Sequence, residues 1–98
     1  MAIRAIVEYT IQSGRRDEFV GQLQGMFERH GTTMREYGWL GASLYAVVDE
    51  PNKLVEIAEW DSAEAVERGI HSEVMGTIAP VIDLLAEPFR ATLIEALR

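Results

Sequence analysis

The sequence of 98 residues predicts one α+β domain whose strands and helices follow the order β-α-β-β-α-β. Four segments are rich in the β-branched and aromatic residues that favour strands. Two regions between them repeat apolar residues at intervals of three and four, which is typical of helices that pack on one side. The two middle strands are separated by a short loop, so we expect them to form an antiparallel hairpin.

The first strand is predicted over residues 3–11. Side chains alternate along a strand, so Ala5, Val7, Tyr9 and Ile11 would line one face of the sheet. The intervening residues, with a glutamate among them, would line the other face. A Ser-Gly pair then breaks the strand.

The first helix is predicted from the apolar residues that follow this break. They recur at helical spacing and define one face, which consists of Phe19, Leu23, Met26, Phe27, His30, Met34 and Tyr37. The glycines at 21, 25 and 31 each weaken the helix by about 1 kcal/mol relative to alanine. We therefore expect packing against the sheet to hold this helix together.

The predicted hairpin follows the first helix. Gly38 ends the helix, the second strand covers residues 39–48, and the third strand covers residues 53–60. Between the two strands, residues 49–52 (Asp-Glu-Pro-Asn) are dense in turn-forming types.

The C-terminal region predicts two helical segments and a last strand. Asp61 is placed to cap a short helix over about 62–70, with a glutamate three residues later in capping-box register. A second helical pattern covers residues 73–86, but it contains Pro80, so this helix begins just before the proline or kinks there. Residues 89–97 supply the last strand.

Together these elements predict a ferredoxin-like fold, in which a four-stranded antiparallel sheet carries both helices on one face. The other face also carries apolar side chains, such as Ile6, Leu44 and Val48 or their alternates. One layer of helices cannot cover this second face, so we expect a second sheet to cover it. The sequence therefore predicts a homodimer.

The composition excludes several classes of partner and site. The net charge is −7 and no basic stripe exists, so nucleic acid is not expected to bind. The absence of cysteine excludes disulfides, thiolate nucleophiles and cysteine-ligated zinc. The N-terminal residues lack the pattern of a secretory signal and no apolar run approaches a membrane span, so we expect a cytoplasmic protein without a membrane partner.

Three segments of the chain resemble the antibiotic biosynthesis monooxygenase family. The run EPNKLVEIAEWDSAEAV (50–66) is similar to the family's Pro-Asn turn, its apolar strand with an acid and a Trp near the end, and its acidic or serine cap. The segments YTIQSGRRDEF (9–19) and YGWLGASLY (37–45) resemble the first strand with its glycine turn and the second strand. They occur in the same order without insertions, so residues 1–98 are interpreted as one domain of this family.

The resemblance implies a dimeric α+β barrel with a pocket in each subunit between the helices and the sheet. Relatives that oxidise polyketides carry a Trp and a Tyr six residues apart on the second strand, as Trp39 and Tyr45 are. The resemblance thus makes Trp39 a substrate-binding candidate and Tyr45 a catalytic candidate. We expect these two to share a face, with the small Gly41 and Ser43 leaving room for a flat substrate ring. Trp60 matches the family's most persistent aromatic and is a further substrate-binding candidate. Simple core or interface packing is the alternative for Trp39 and Tyr45, and packing at a strand end is the alternative for Trp60.

Three residues are candidates for proton transfer or for the mouth of this pocket. His30 lies on the apolar side of the first helix, where it would accept a phenolic proton or be a buried histidine bonded to a backbone carbonyl. Tyr9 would add a phenol donor to the pocket. His71 lies in the break after the short helix and would either reach the substrate or remain an exposed loop residue.

Two glutamates fall in the middle of predicted strands, where a carboxylate must be solvated, paired or functional. These are Glu8 and Glu56, and Arg4 and Arg90 on the first and last strands are their expected partners if those two strands are neighbours. We interpret both acids as salt-bridge or rim residues.

The chain also departs from its relatives. The polyketide-oxidising members carry an Asn and an Arg where this chain has Arg35 and Glu59. The haem-degrading members carry an Asn and an axial His where it has Val7 and, nearby, Ala79, so haem degradation is not expected. Many members carry a histidine where it has Gly69.

No glycine-rich phosphate loop, metal-binding motif or catalytic-triad spacing occurs, so no cofactor is predicted. Together with the resemblance, this favours a cofactor-independent monooxygenase that uses dioxygen to oxidise a small phenol or hydroquinone to a quinone. One alternative is an isomerase or cyclase that transfers protons in the same pocket. The other is a dimeric module that binds a small molecule without catalysis.

Overall fold

A computed structural model describes residues 2–97 of the chain. Its strands are β1 (Ile3–Thr10), β2 (Trp39–Val47), β3 (Glu50–Trp60) and β4 (Arg90–Glu95). Its α-helices are α1 (Arg16–Glu36), α2 (Ala63–Ile70) and the short α3 (Ala79–Ile82), and a 3₁₀ helix covers Glu73–Thr77. The predicted order β-α-β-β-α-β is confirmed.

The four strands form one antiparallel sheet in the spatial order β2-β3-β1-β4, which is the ferredoxin-like arrangement. Ala5 of β1 lies between Ala58 of β3 and Leu93 of β4. Cross-strand partners share a face, so these registers define which residues face the helices. The predicted faces of β1 are confirmed, because Ile3, Ala5 and Tyr9 are buried beneath the helices.

The interior between the sheet and the helices contains two apolar clusters. The first surrounds two tryptophans and consists of Ile3, Ala5, Met34, Trp39, Ala58, Trp60, Ala65, Val66 and Val74. The second contains the aromatic rings of Tyr9 and Phe19. It consists of Tyr9, Ile11, Phe19, Leu23, Met26, Leu54, Val81 and Leu84. Phe27 of α1 packs against both clusters, so they meet near the middle of the sheet.

The other face of the sheet, which we call the open face, carries no helix. Large apolar side chains are exposed on it, among them Leu40, Tyr45 and Ile94. Arg4 and Glu59 form an ion pair across β1 and β3 on this face, with nitrogen and oxygen 3.3 Å apart. Both side chains are well exposed, so the pair adds little stability.

The cap of α2 is Ser62, so the prediction that Asp61 caps this helix is wrong by one residue. The Ser62 hydroxyl accepts a hydrogen bond from the backbone N–H of Ala65 at 3.1 Å. Asp61 instead donates its own backbone N–H to the carbonyl of Gly38 at 2.8 Å. This bond continues the pairing of the hairpin beyond Trp60, and the helix therefore begins one residue later.

The helical pattern predicted over residues 73–86 is broken into the 3₁₀ helix and α3. Pro80 lies in the first turn of α3, where its missing N–H is tolerated. Beyond α3 the backbone returns to the end of β1, since Gln12 donates to the Leu84 carbonyl and Ala86 donates to the Thr10 carbonyl. These sheet-like bonds end the helix at Ile82, before the position that the apolar spacing predicts.

Within residues 2–97, no helix is long and apolar enough to cross a membrane.

Candidate functional site

A bulge in β2 separates the aromatic residues that the sequence placed together. Trp39 pairs with Trp60, but the next paired residue of β2 is Gly41, which faces Glu59. Leu40 is therefore an extra residue without a partner on β3. Gly41 has a φ of +139°, a backbone conformation that a residue with a side chain rarely adopts.

The bulge reverses the alternation of side chains along the rest of β2. Tyr45 pairs with Val55, which is five residues from Trp60 on β3 and hence on the opposite face. Trp39 and Trp60 face the helices, whereas Tyr45 lies on the open face and is 52% exposed. The prediction that Trp39 and Tyr45 share a face is wrong, because it assumed a regular strand.

Trp39 and Trp60 pack within the first cluster. Trp39 stacks on Phe27 with ring centroids 5.4 Å apart, and the Arg35 guanidinium lies 5.5 Å from the Trp39 ring. Trp60 lies directly against Gly69 of α2, where a Cβ atom would come within 2.5 Å of its ring. Residue 69 thus has a packing reason to lack a side chain, and a histidine there would collide with Trp60.

Ser43 and Tyr45, which the sequence predicts as a substrate-binding and a catalytic residue of a helix-facing pocket, instead line one cavity on the open face. The cavity has a volume of about 430 Å³, and the Arg4–Glu59 ion pair forms part of its wall. Trp39 and Trp60 do not line it. The predicted pocket shared by Trp39, Tyr45 and Trp60 is therefore absent from the part of the chain that the structure describes.

The two histidines have their polar contacts with residues outside the sheet. His30 is half-buried on α1, with Nε2 3.5 Å from the hydroxyl of Thr77 in the 3₁₀ helix. His71 follows the last residue of α2 and is exposed, with Nε2 3.5 Å from a carboxylate oxygen of Glu67. His71 thus matches the exposed alternative that the sequence left open.

The interior contains a buried acid–phenol pair, Tyr9 and Glu56. The Tyr9 hydroxyl donates a hydrogen bond to Oε1 of Glu56 at 2.6 Å, and the two residues are 5% and 7% exposed. Burial raises the pKa of Glu56, and the hydrogen bond from Tyr9 opposes part of that rise. Burial and the neighbouring carboxylate raise the pKa of Tyr9 far above its ordinary value, so the phenol stays protonated.

The interpretation of Glu56 as a salt-bridge or rim residue is wrong. Arg4 pairs with Glu59 instead, and no ion pair within residues 2–97 includes Glu56. It alternates in phase with the buried Leu54 and Ala58. The sequence did not reveal this, because Val55 and Ile57 on the other face of β3 are apolar too. Glu8 differs, since it lies on the open face and is exposed.

The helix-facing side of the sheet is open to solvent along β4. All of β4 is exposed, although Ala91 pairs with Val7 and Leu93 pairs with Ala5. Leu93 is 48% exposed and Val7 is half-buried. We call Val7, Ala91 and Leu93 the β4 margin. Because Val7 also pairs with Glu56, the buried carboxylate lies directly beside this margin, with β1 between it and β4.

A metal centre is not evident in this arrangement. Among residues 2–97, no three histidine, aspartate or glutamate side chains lie close enough to hold a metal ion. The polar groups that converge in the interior are a single phenol and a single carboxyl, which are suited to holding and moving a proton.

Comparisons with known proteins identify the family. The family model described as antibiotic biosynthesis monooxygenase matches residues 2–78 of the chain. No curated protein matches it significantly.

Solved structures share the fold at low sequence identity. A conserved protein from Methanosarcina mazei is 20% identical with a TM-score of 0.80, over 96% of this chain and 91% of its own. The protein Rv0793 from Mycobacterium tuberculosis is 20% identical with a TM-score of 0.71, over 100% and 97%. A variant of SnoaB from Streptomyces nogalater, described as a cofactor-independent oxygenase, is 18% identical with a TM-score of 0.74, over 99% and 94%.

Proposed function

Because this chain belongs to the antibiotic biosynthesis monooxygenase family, we propose that it is a cofactor-independent monooxygenase that oxidises a small phenol or hydroquinone to a quinone. The observation that supports this most directly is the exposure of the helix-facing residues of the β4 margin beside the apolar interior. This interior lies between the helices and the sheet, where the family resemblance places the substrate. The structural likeness to a cofactor-independent oxygenase from Streptomyces nogalater agrees with the proposal.

The interior supplies what such a reaction requires of the protein. An electron-rich phenol becomes reactive towards dioxygen when it loses its proton, so the site needs a proton acceptor in a largely water-free environment. For a phenol the overall change is balanced by one dioxygen: one oxygen atom enters the ring to give the quinone, and the other leaves as water with the two hydrogens that the substrate loses. Tyr9 is the predicted proton-handling residue that lies in this interior.

We also propose that the protein acts as a homodimer. The exposed apolar side chains of the open face, such as Leu40 and Tyr45, support this assembly. A second sheet packed on this face would remove them from water and would close the barrel that the family resemblance implies.

Oxygen uptake with a panel of phenols and hydroquinones tests the proposed chemistry. We expect dioxygen to be consumed in proportion to substrate, with one atom of labelled dioxygen recovered in the quinone formed from a phenol. A hydroquinone that only loses its two hydrogens passes them to dioxygen as hydrogen peroxide, and its quinone carries no label. Substrate conversion without oxygen uptake would instead indicate an isomerase or cyclase. Saturable binding without any conversion would indicate the binding module.

The open-face cavity, which would lie within the proposed dimer interface, is the alternative location for the substrate, because Ser43 and Tyr45 line it together. Paired substitutions distinguish the two locations. If the reaction occurs in the helix-facing interior, Tyr9→Phe impairs turnover and Tyr45→Phe leaves it within about twofold. The reverse result would place the chemistry on the open face.

A further inference from the structure

Glu56 lies at the junction of the two apolar clusters. On β3 it is preceded in the helix-facing row by Leu54 of the second cluster and followed by Ala58 of the first. Across the sheet its partners are Leu44 and Val7, which are both half-buried. A carboxylate enclosed by apolar groups is unfavourable unless it is hydrogen-bonded, and Tyr9 supplies one such bond.

The Tyr9 bond satisfies only one of the two carboxylate oxygens. Within residues 2–97, one buried side-chain polar atom has neither contact with solvent nor a hydrogen-bond partner, and that atom is Trp39 Nε1. Oε2 of Glu56 is not sealed in this way, yet no side chain or backbone group among the described residues donates to it. Glu56 is 7% exposed, so we assign this small accessible area to Oε2.

From this geometry we infer that Glu56 accepts the phenolic proton of the substrate at Oε2 and that Tyr9 is its positioning residue. This inference rests on the proposed function and names the proton acceptor of that site. Tyr9 fixes the orientation of the carboxylate through Oε1 and leaves Oε2 available to a ligand that enters from the β4 margin, where Val7 is the cross-strand partner of Glu56.

The charges around Glu56 fit a proton acceptor. Burial makes its carboxylate a stronger base than an exposed one, which brings it closer to the pKa of a phenol. Among helix-facing titratable groups, His30 on α1 bonds towards Thr77, and Glu95 on β4 lies two rows away beside Ile3. The pKa of Glu56 is shifted by two causes: burial raises it, and the hydrogen bond from Tyr9 lowers it.

Oxidation of the substrate begins with proton transfer to Glu56. The phenolic O–H bond breaks, its proton moves to Oε2 of Glu56, and the electron pair remains on the phenolate oxygen. The phenolate then gives electrons to dioxygen. The proton held by Glu56 and the proton from the oxidised ring carbon leave with the second oxygen atom as water.

Glu56→Gln tests the inference, because glutamine has nearly the same shape and can still accept the Tyr9 hydrogen bond. We expect kcat/KM for oxygen uptake to fall about 100-fold or more, as for loss of a general base. Glu28→Gln, the same exchange at an exposed position of α1, is the matched control and should keep full activity. An active wild type whose Glu56→Gln variant retains turnover within about fivefold would overturn the role of Glu56 and leave the proposed function intact.

A second measurement on the wild type does not depend on turnover or on any variant. In infrared difference spectra without oxygen, binding of a phenol should produce the carbonyl band of a protonated carboxylic acid. The band should be absent in Glu56→Gln. If no substrate supports oxygen uptake, the proposed function fails, and this band still decides whether Glu56 takes up the proton. Its absence in a phenol-bound wild type would refute the inference.

Tyr9→Phe separates positioning from a purely structural role. The Tyr9 hydrogen bond lowers the pKa of Glu56, so its loss should raise that pKa. We expect the acidic limb of the kcat/KM profile to move to higher pH, in addition to a lower maximum. A variant with lower activity and an unmoved limb would show that Tyr9 does not act through Glu56.

Discussion

Glu56 occupies a residue position at which the strand pattern requires an apolar side chain. Its neighbours in the helix-facing row of β3 are Leu54 and Ala58, and both are buried. Burial disfavours the charged carboxylate, so this residue makes the folded state less stable at neutral pH than an uncharged residue of the same shape would. A destabilising group of this kind is typical of functional positions, where the side chain that the reaction needs lowers the free energy of unfolding.

We expect Glu56→Gln to change the pH dependence of stability. The pKa of Glu56 is higher in the folded than in the unfolded chain, so the folded state binds more protons. This extra proton binding stabilises the folded state relative to the state with a charged Glu56. The stabilisation is complete below the ordinary pKa of 4.5 and is lost as the pH rises through the raised pKa. The variant should match the wild type at acidic pH and exceed it at pH above the raised value, by about 1.4 kcal/mol for each unit of pKa difference. Guanidinium unfolding across this range provides the measurement, and a difference independent of pH would contradict the prediction.

Gly69 is the second residue whose identity follows from one contact. A Cβ atom there would come within 2.5 and 2.8 Å of two ring carbons of Trp60, which is buried and cannot move freely. Gly69→Ala should therefore lower the free energy of unfolding by about 1–3 kcal/mol through overpacking. Gly21→Ala on the exposed side of α1 meets nothing within 4 Å and should raise it by up to about 1 kcal/mol. Equal effects of the two substitutions in chemical denaturation would show that the Trp60 contact is not decisive.

At the scale of the elements, the start of α2 depends on Ser62. Its hydroxyl satisfies the backbone N–H of Ala65, one of the free donors at the helix start. We expect Ser62→Ala to lower the free energy of unfolding by about 1 kcal/mol. Asp61→Ala is the matched control, since the Asp61 side chain does not cap this helix, and it should change stability by less than about 0.5 kcal/mol. A larger loss in the control than in Ser62→Ala, measured by thermal unfolding, would assign the cap to Asp61.

Most elements were predictable because their signals are local. The apolar period of α1, the alternation of β1 and the glycine before β2 depend on neighbouring residues alone. The bulge at Leu40 depends instead on how β2 pairs with β3. Its only signal in the sequence was Gly41, a residue that tolerates the positive φ found next to the bulge. The prediction that Trp39 and Tyr45 share a face failed at this point, because one extra residue moves Tyr45 to the other face of the sheet.

The C-terminal region shows the same limit. Val74 and Val81 are buried, as their spacing predicts. The continuous helix does not form, because the backbone of residues 84–86 pairs with the end of β1. Burial follows from the apolar pattern, whereas the route of the backbone follows from hydrogen bonds to a segment that is distant in sequence.

At the scale of the whole molecule, the two faces of the sheet have different roles. The helix-facing side contains both apolar clusters and the Tyr9–Glu56 pair, and it opens at the β4 margin. The open face carries Tyr45 and Leu40 in contact with solvent. The proposed chemistry and the proposed assembly thus use opposite sides of one sheet, so a substitution on the open face can weaken the dimer without touching Glu56.

The dimer is therefore testable on the open face. We expect the wild type to be a dimer at micromolar concentration by light scattering, with an interface above roughly 1,600 Å² in total. Tyr45→Lys places a charge among the apolar side chains of this face and should weaken the dimer by about 2 kcal/mol, or about 30-fold in dissociation constant. Val48→Lys is the control in the turn after β2, where Val48 is 95% exposed, and it should dimerise like the wild type. A well-folded 11.0 kDa monomer of the wild type would refute the assembly. Equal weakening by both lysines would show that net charge, rather than the open face, governs it.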